Sequence, residues 1–134
     1  MSTGLTRRPR GCRISIKFKT PELEKQFEAV DDRLMILVYF IAAFVEHRFG
    51  KDLVITCVYR EDGGVHNYWR GIDARTSNLT KEEGDEVAEY VNRHFIYGKP
   101  NKYCLFDERN RVSSGWSGEH FHLQVSPFDT MTIT

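Results

Sequence analysis

An unbroken run of twelve apolar residues, from Leu34 to Val45, restricts the possible folds of this chain more than any other segment. A helix that spans a bilayer needs about 20 such residues, so the run is too short to cross a membrane. It lies inside a longer helical pattern that can begin at Pro21, has a break near Asp31 and Asp32, and stops at Gly50. The run therefore predicts a helix in the core of a globular domain.

Strand patterns flank this helical region. Residues 13–19 alternate polar and apolar side chains, which is typical of a half-buried strand. Residues 52–59 are nearly all apolar and predict an interior strand. Shorter strands are predicted at 72–75, 102–107 and 120–125. The last two are joined by a polar segment, and the simplest arrangement for them is an antiparallel hairpin with a long loop.

A second helix is marked by Thr80 and Glu83, which have the spacing of a capping box. Apolar residues then recur every four positions as far as Phe95, and the helix is expected to end near Tyr97 and Gly98. Together these elements predict the α+β class, with helices packed on a mainly antiparallel sheet.

Length and charge limit the domain organisation and the partners. The 134 residues match one ordinary domain, with residues 1–11 as a flexible basic tail. Nineteen Lys and Arg residues balance nineteen Asp and Glu residues, so no long-range positive field attracts nucleic acid. Three cysteines without a metal-binding spacing predict reduced thiols.

Histidines and carboxylates are concentrated in two segments, His66–Asp73 and Glu119–His122. His120 and His122 are two residues apart on a predicted strand, so both side chains point to one face and can reach one site. Glu119 points to the other face of an ideal strand and approaches that site only if the strand begins after it. Two imidazoles and a carboxylate are typical ligands of a catalytic zinc ion, which keeps a fourth position for water.

Three features follow one another along the chain: Tyr59-Arg60, then His-x6-Asp, then Glu-x-x-His with His-x-His. This pattern resembles that of the LAS metallopeptidases, named for lysostaphin, D-Ala-D-Ala peptidases and sonic hedgehog. The similarity covers roughly residues 53–125. It is strongest to the D-Ala-D-Ala peptidase branch, which includes phage L-alanyl-D-glutamate endolysins. The resemblance implies a hedgehog/DD-peptidase-like fold and a zinc peptidase that hydrolyses peptidoglycan stem or cross-link peptides next to a D-amino acid.

The resemblance also implies a role for each matching residue. One zinc ion would be bound by three side chains: His66, Asp73 and His122. Glu119 would be the general base that takes a proton from water, and Arg60 would stabilise the oxyanion that forms at the scissile carbonyl. His120 is implied as an auxiliary catalytic residue that orients water or holds the intermediate.

The first segment departs from the family pattern, which usually has Ser-x-His, a glycine three positions after the histidine and a small residue at the fifth. Here Gly64, Trp69 and Gly71 occupy those places. We therefore expect a rebuilt loop in which Trp69 is either a substrate wall or an ordinary packing residue. The offset of seven between His66 and Asp73 is kept, which favours an intact ligand pair.

Other interpretations remain open at this point. Asp73 could pair with Arg70 or Arg75, Arg60 could pair with the acidic residues that follow it, and Glu119 could be a solvated residue beside a strand. The domain could then be a noncatalytic zinc-stabilised binding domain, or a phage structural protein without metal. Glu119 favours the enzyme, because a binding module can lose its general base and keep its ligands.

The N-terminal segment has no apolar stretch after its basic residues, which predicts no secretory signal peptide. Combined with the resemblance, this implies a protein made in the cytoplasm that acts on the cell wall after phage-type release or as a virion component. The expected partner is a peptidoglycan peptide, and the protein is expected to be a monomer with no nucleic-acid partner and no membrane span.

Overall fold

The computed structural model describes residues 16–61, 64–96, 103–109, 119–125 and 132–133. The predicted basic tail and the first three residues of the predicted strand 13–19 lie outside these ranges. In chain order the described elements are β1 (Ile16–Phe18), α1 (Pro21–Phe27), α2 (Asp32–Phe49), β2 (Leu53–Cys57), a 3₁₀ helix (Val65–Tyr68), β3 (Gly71–Arg75), α3 (Lys81–His94), β4 (Phe95–Ile96), β5 (Leu105–Asp107), β6 (His120–Gln124) and β7 (Thr132–Ile133).

The strands form a five-stranded sheet in the order β1-β2-β3-β6-β5 and a small β4-β7 pair. β1 runs parallel to β2, whereas the β2–β3, β3–β6 and β5–β6 pairs are antiparallel. The α+β class and the antiparallel β5–β6 hairpin are thus confirmed, but the sheet is mixed. The parallel pair follows from the connection between β1 and β2, because α1 and α2 form the crossover that parallel neighbours require.

Helix α2 is the core helix that the apolar run predicts. Its buried residues recur with helical periodicity at Leu34, Leu37, Val38, Ile41, Ala42 and Val45. The predicted break before it is confirmed, because α1 ends at Phe27 and Asp31 caps α2 by accepting a hydrogen bond from the Arg33 N–H. Gly50 ends the helix in the left-handed conformation, at φ 67°. Within the described ranges, none of the helices is long and apolar enough to span a membrane.

Helix α3 begins as predicted and ends earlier than predicted. Thr80 and Glu83 form the reciprocal capping box. The helix stops at His94 because Phe95 turns to an extended conformation and begins β4, which pairs with β7. The side chain of Phe95 is buried and contacts Phe40 edge-to-face. A tertiary contact therefore overrides the helical pattern, and the expected end near Tyr97 and Gly98 is wrong.

Arg109 ties the end of the β5 strand to α3. Its guanidinium pairs with Asp107 and Asp85 and lies over the ring of Phe121 on β6. Gly84 makes room for it, because a Cβ there would lie 2.0 Å from the Arg109 Nη1. The hydrogen bond from Arg109 lowers the pKa of Asp107. Asp107 is thus engaged in fixing the hairpin against α3.

Candidate metal centre

The candidate site lies on the face of the sheet opposite to the apolar core. In β3 and β6 the core face is formed by buried residues: Ile72, Ala74, Phe121 and Leu123. Side chains alternate along a strand, so Asp73, His120 and His122 point to the other face. Asp73 lies directly opposite His122 in the antiparallel register. The predicted shared face of the two histidines therefore also carries Asp73.

The Asp73 carboxylate is the centre of this group. Its Oδ1 lies 3.1 Å from Nδ1 of His122 and 3.9 Å from Nε2 of His120, and its Oδ2 lies 3.8 Å from Nη1 of Arg60. The side chains of Asp73, His120 and His122 are 11%, 19% and 18% exposed, whereas Arg60 is 44% exposed. The side chains of Asp73, His120 and His122 are therefore mostly shielded from water, and the site is open to solvent on the Arg60 side.

A β-bulge in β2 lies beside this group. Ile55 pairs with Ala74 but Cys57 pairs with Asp73, so Thr56 is an extra residue with no counterpart on β3. An extra residue reverses the alternation of side chains beyond it, and bulges commonly re-aim side chains in this way. Cys57 consequently shares the face of Asp73, whereas the next residue, Val58, is buried in the core.

Arg60 itself lies three residues beyond the end of β2, which is Cys57, rather than at the end of the strand. The structure places its guanidinium beside Asp73, a pairing that the sequence did not predict. Asp62, an alternative partner, lies outside the described residues. Asp73 is thus joined to Arg60, whereas the guanidinium of Arg70 binds the Val125 carbonyl, 2.8 Å away.

The predicted ligand His66 is in the 3₁₀ helix that leads into β3. This turn is closed by a hydrogen bond from the Arg70 N–H to the Val65 carbonyl, at 3.0 Å. The position of the His66 side chain lies outside the described part of the structure. Its role as a zinc ligand therefore stays a prediction.

Glu119 lies directly before β6, at a bend, and is exposed. The strand begins at His120, so Glu119 lies outside it and need not point to the face opposite His120 and His122. Residues 110–118, the predicted loop that precedes it, lie outside the described ranges. The predicted function of Glu119 as a general base stays a prediction.

The contact between Asp73 and His122 fits two ligands of one zinc ion. Ligands about 2.0–2.1 Å from a tetrahedral zinc ion lie about 3.3–3.4 Å from each other. The observed distance of 3.1 Å between Oδ1 and Nδ1 is close to that value. Within the described side chains no group of three His, Cys, Asp or Glu residues forms a complete metal-binding set. Asp73 and His122 therefore provide a pair that needs a third ligand, the role predicted for His66.

Two contacts of His122 were not predicted from the sequence. Its Nε2 lies 2.9 Å from Oε1 of Gln124, and its ring contacts Phe106 on β5 with the centroids 5.9 Å apart. Gln124 is two residues after His122 on the same strand, so the two-residue period that joins His120 to His122 also indicates it. Phe106 lies opposite His122 in the β5–β6 register, which single-sequence patterns do not reveal.

Trp69 has an unusual backbone conformation beside the site. Its φ is 61°, in the left-handed region that glycine adopts without strain and other residues avoid. Its carbonyl accepts a hydrogen bond from the Asp31 N–H at 2.9 Å, and its ring stacks on Tyr59 with the centroids 4.5 Å apart. These contacts hold the loop before β3 against the residue that precedes Arg60.

We expect Trp69→Gly to be more stable than Trp69→Ala by about 1 kcal/mol, because both variants lose the ring and glycine alone relieves the strain. The free energy of unfolding in urea measures this difference. Ala88→Gly in α3 is the control, and it should cost about 0.5–1 kcal/mol relative to wild type. An alanine variant as stable as the glycine variant would show that residue 69 does not need the left-handed conformation.

Comparison of the chain with protein-family models, with curated proteins and with solved structures gives no significant match.

Proposed function

We propose that this protein is a zinc-dependent peptidase that hydrolyses peptidoglycan stem or cross-link peptides next to a D-amino acid. One observation carries the proposal: the Asp73 carboxylate and the His122 imidazole face each other across β3 and β6 at 3.1 Å, with the Arg60 guanidinium on the other carboxylate oxygen. Asp73 and His122 are two of the three zinc ligands that the resemblance to LAS peptidases implies, and Arg60 is the implied oxyanion residue. His66 is proposed as the third ligand.

The chemistry divides among these side chains. Bound zinc would supply a Lewis acid that lowers the pKa of a water molecule to about 7. Glu119 would take the proton of the attacking water and later pass it to the leaving amine. Arg60 would stabilise the negative charge that develops on the scissile carbonyl oxygen, since a fixed cation is most effective where charge develops in the transition state. His120, 3.9 Å from Asp73, would orient the water or the intermediate.

The left-handed backbone of Trp69 also supports the resemblance. The family pattern has glycine at this position, and a φ of 61° is the conformation that favours glycine. The loop can thus keep the backbone path of the family although the residue has changed. We place the action of the protein on the bacterial cell wall, after phage-type release or as part of a virion, as a monomer.

A noncatalytic zinc-stabilised domain is the second candidate. The described contacts join two proposed ligands to each other, whereas Glu119 is exposed at the bend before β6. Such a domain would bind zinc and a wall peptide without cleaving it. Turnover therefore separates the two candidates.

Incubation of purified peptidoglycan fragments with zinc-loaded protein should release shorter peptides, which mass spectrometry identifies together with the bond that is cut. Chelation of the metal should stop the reaction, and added zinc should restore it. Zinc binding without cleavage would favour the noncatalytic domain. Protein that binds no zinc would rule out both candidates.

A further inference from the structure

Both ring nitrogens of His122 have a partner on the polar face of the sheet. Nδ1 faces the Asp73 carboxylate at 3.1 Å, and Nε2 faces the side-chain carbonyl of Gln124 at 2.9 Å. Gln124 follows His122 by two residues on β6, so the strand itself places the two side chains on the same face. Opposite Gln124 in the register is Gly71, which has no side chain to occupy the space beside the amide.

The Gln124 contact favours a proton on Nε2 of the imidazole. A carbonyl oxygen can only accept a hydrogen bond, so the 2.9 Å contact requires a proton on Nε2 that His122 donates. The Asp73 carboxylate is likewise an acceptor, so a metal ion bound by Nδ1 and Asp73 together would replace the hydrogen bond between them while Nε2 keeps its proton. Histidines that bind metals almost always donate their other N–H to such an acceptor, which fixes the tautomer and the orientation of the ring.

We propose that Gln124 is a positioning residue for zinc: it holds the His122 imidazole protonated at Nε2, so that Nδ1 and the Asp73 carboxylate are presented together to the ion. The inference rests on the zinc-binding part of the proposed function. It adds a residue outside the predicted ligands and catalytic groups, and it assigns Nδ1 as the ligating atom of His122.

Gln124→Leu tests the proposal, because it keeps approximately the size of the side chain and removes the acceptor. Zinc affinity, measured by competition with a chromophoric chelator, should fall by about 10–100-fold. Gln124→Glu restores an acceptor and should bind zinc at least as tightly as wild type. Gln26→Leu is the matched control: it makes the same chemical change on α1, where the amide contacts the Tyr59 N–H at 3.4 Å, and it should leave zinc affinity unchanged.

A spectroscopic readout separates positioning from a general structural role. In a proton–nitrogen correlation spectrum of zinc-loaded wild-type protein, the His122 ring should be protonated at Nε2 and metal-bound at Nδ1. Zinc on Nε2 would overturn the proposal. So would a folded Gln124→Leu variant whose zinc affinity is within about twofold of wild type, given the larger loss that second-sphere partners cause.

The same measurements keep this proposal apart from the proposed function. If wild-type protein binds no zinc, the zinc site and this inference both fail. If wild-type protein binds zinc and cleaves peptides but Gln124→Leu retains full affinity, the peptidase stands and the role of Gln124 is refuted. If wild-type protein binds zinc without cleavage and Gln124→Leu weakens binding, the positioning role stands and the catalytic function is refuted.

Discussion

Replacing Asp73 with alanine should abolish stoichiometric zinc binding and reduce peptidase activity to background. The carboxylate is at the centre of the group, within 4 Å of His122, His120 and Arg60. Its removal takes away one of three proposed protein ligands and the negative charge that faces the Arg60 cation beside the site. A divalent cation is then disfavoured both by the lost bond and by the positive charge that remains.

Elemental analysis of the purified, folded variant measures this effect, as the ratio of zinc to protein should fall from about one to near zero. Asp52→Ala is the matched control, because Asp52 precedes β2 and its backbone carbonyl, which the substitution keeps, accepts a hydrogen bond from Asn78. The control should keep its zinc. A folded Asp73→Ala protein with full zinc occupancy would remove Asp73 from the ligand set.

Replacing Glu119 with glutamine should leave zinc binding intact and lower turnover by about 10²–10⁴-fold, the usual contribution of a general base. The amide keeps the shape of the side chain and cannot accept the proton of the attacking water. The site around Asp73 should be unchanged, since Glu119 lies outside β6, at the bend before it.

Zinc content and initial rates on the same peptidoglycan fragments are the two measurements for this variant. Glu82→Gln, an exposed residue in the first turn of α3, provides the same chemical change away from the site and should leave both unchanged. Unchanged turnover would remove Glu119 from the mechanism. A parallel loss of zinc and turnover would instead make Glu119 a metal ligand, and the assignment of His66 would need revision.

Local signals predict the fold best where they depend on neighbours in the sequence. The apolar run becomes α2, and the Thr80–Glu83 capping box starts α3 at the expected place. The end of α3 was not predictable in this way, because β4 forms there by pairing with β7, whose strand begins at Thr132. The parallel pairing of β1 with β2 likewise depends on how α1 and α2 pack, which no short pattern encodes.

The candidate site is likewise predicted from the sequence only where it depends on residues close together in the chain. The two-residue period correctly predicts that His120 and His122 share a face, and the same period indicates Gln124. The approach of Asp73 to His122 joins residues 49 positions apart and depends on the register between β3 and β6, which the sequence pattern alone does not set. Arg60 reaches Asp73 from beyond the end of β2, where the two-residue period of the strand no longer applies.

The bulge in β2 sets which side chains at the end of that strand face the candidate site. Thr56 shifts the phase of the strand by one residue, so that Val58 enters the core while Cys57 lies opposite Asp73. Loss of this one residue would leave a regular strand in which Ile55 and Cys57 are consecutive and still lie opposite Ala74 and Asp73. The bulge is thus the point at which β2 can change its length by one residue while Cys57 and Val58 keep their orientations.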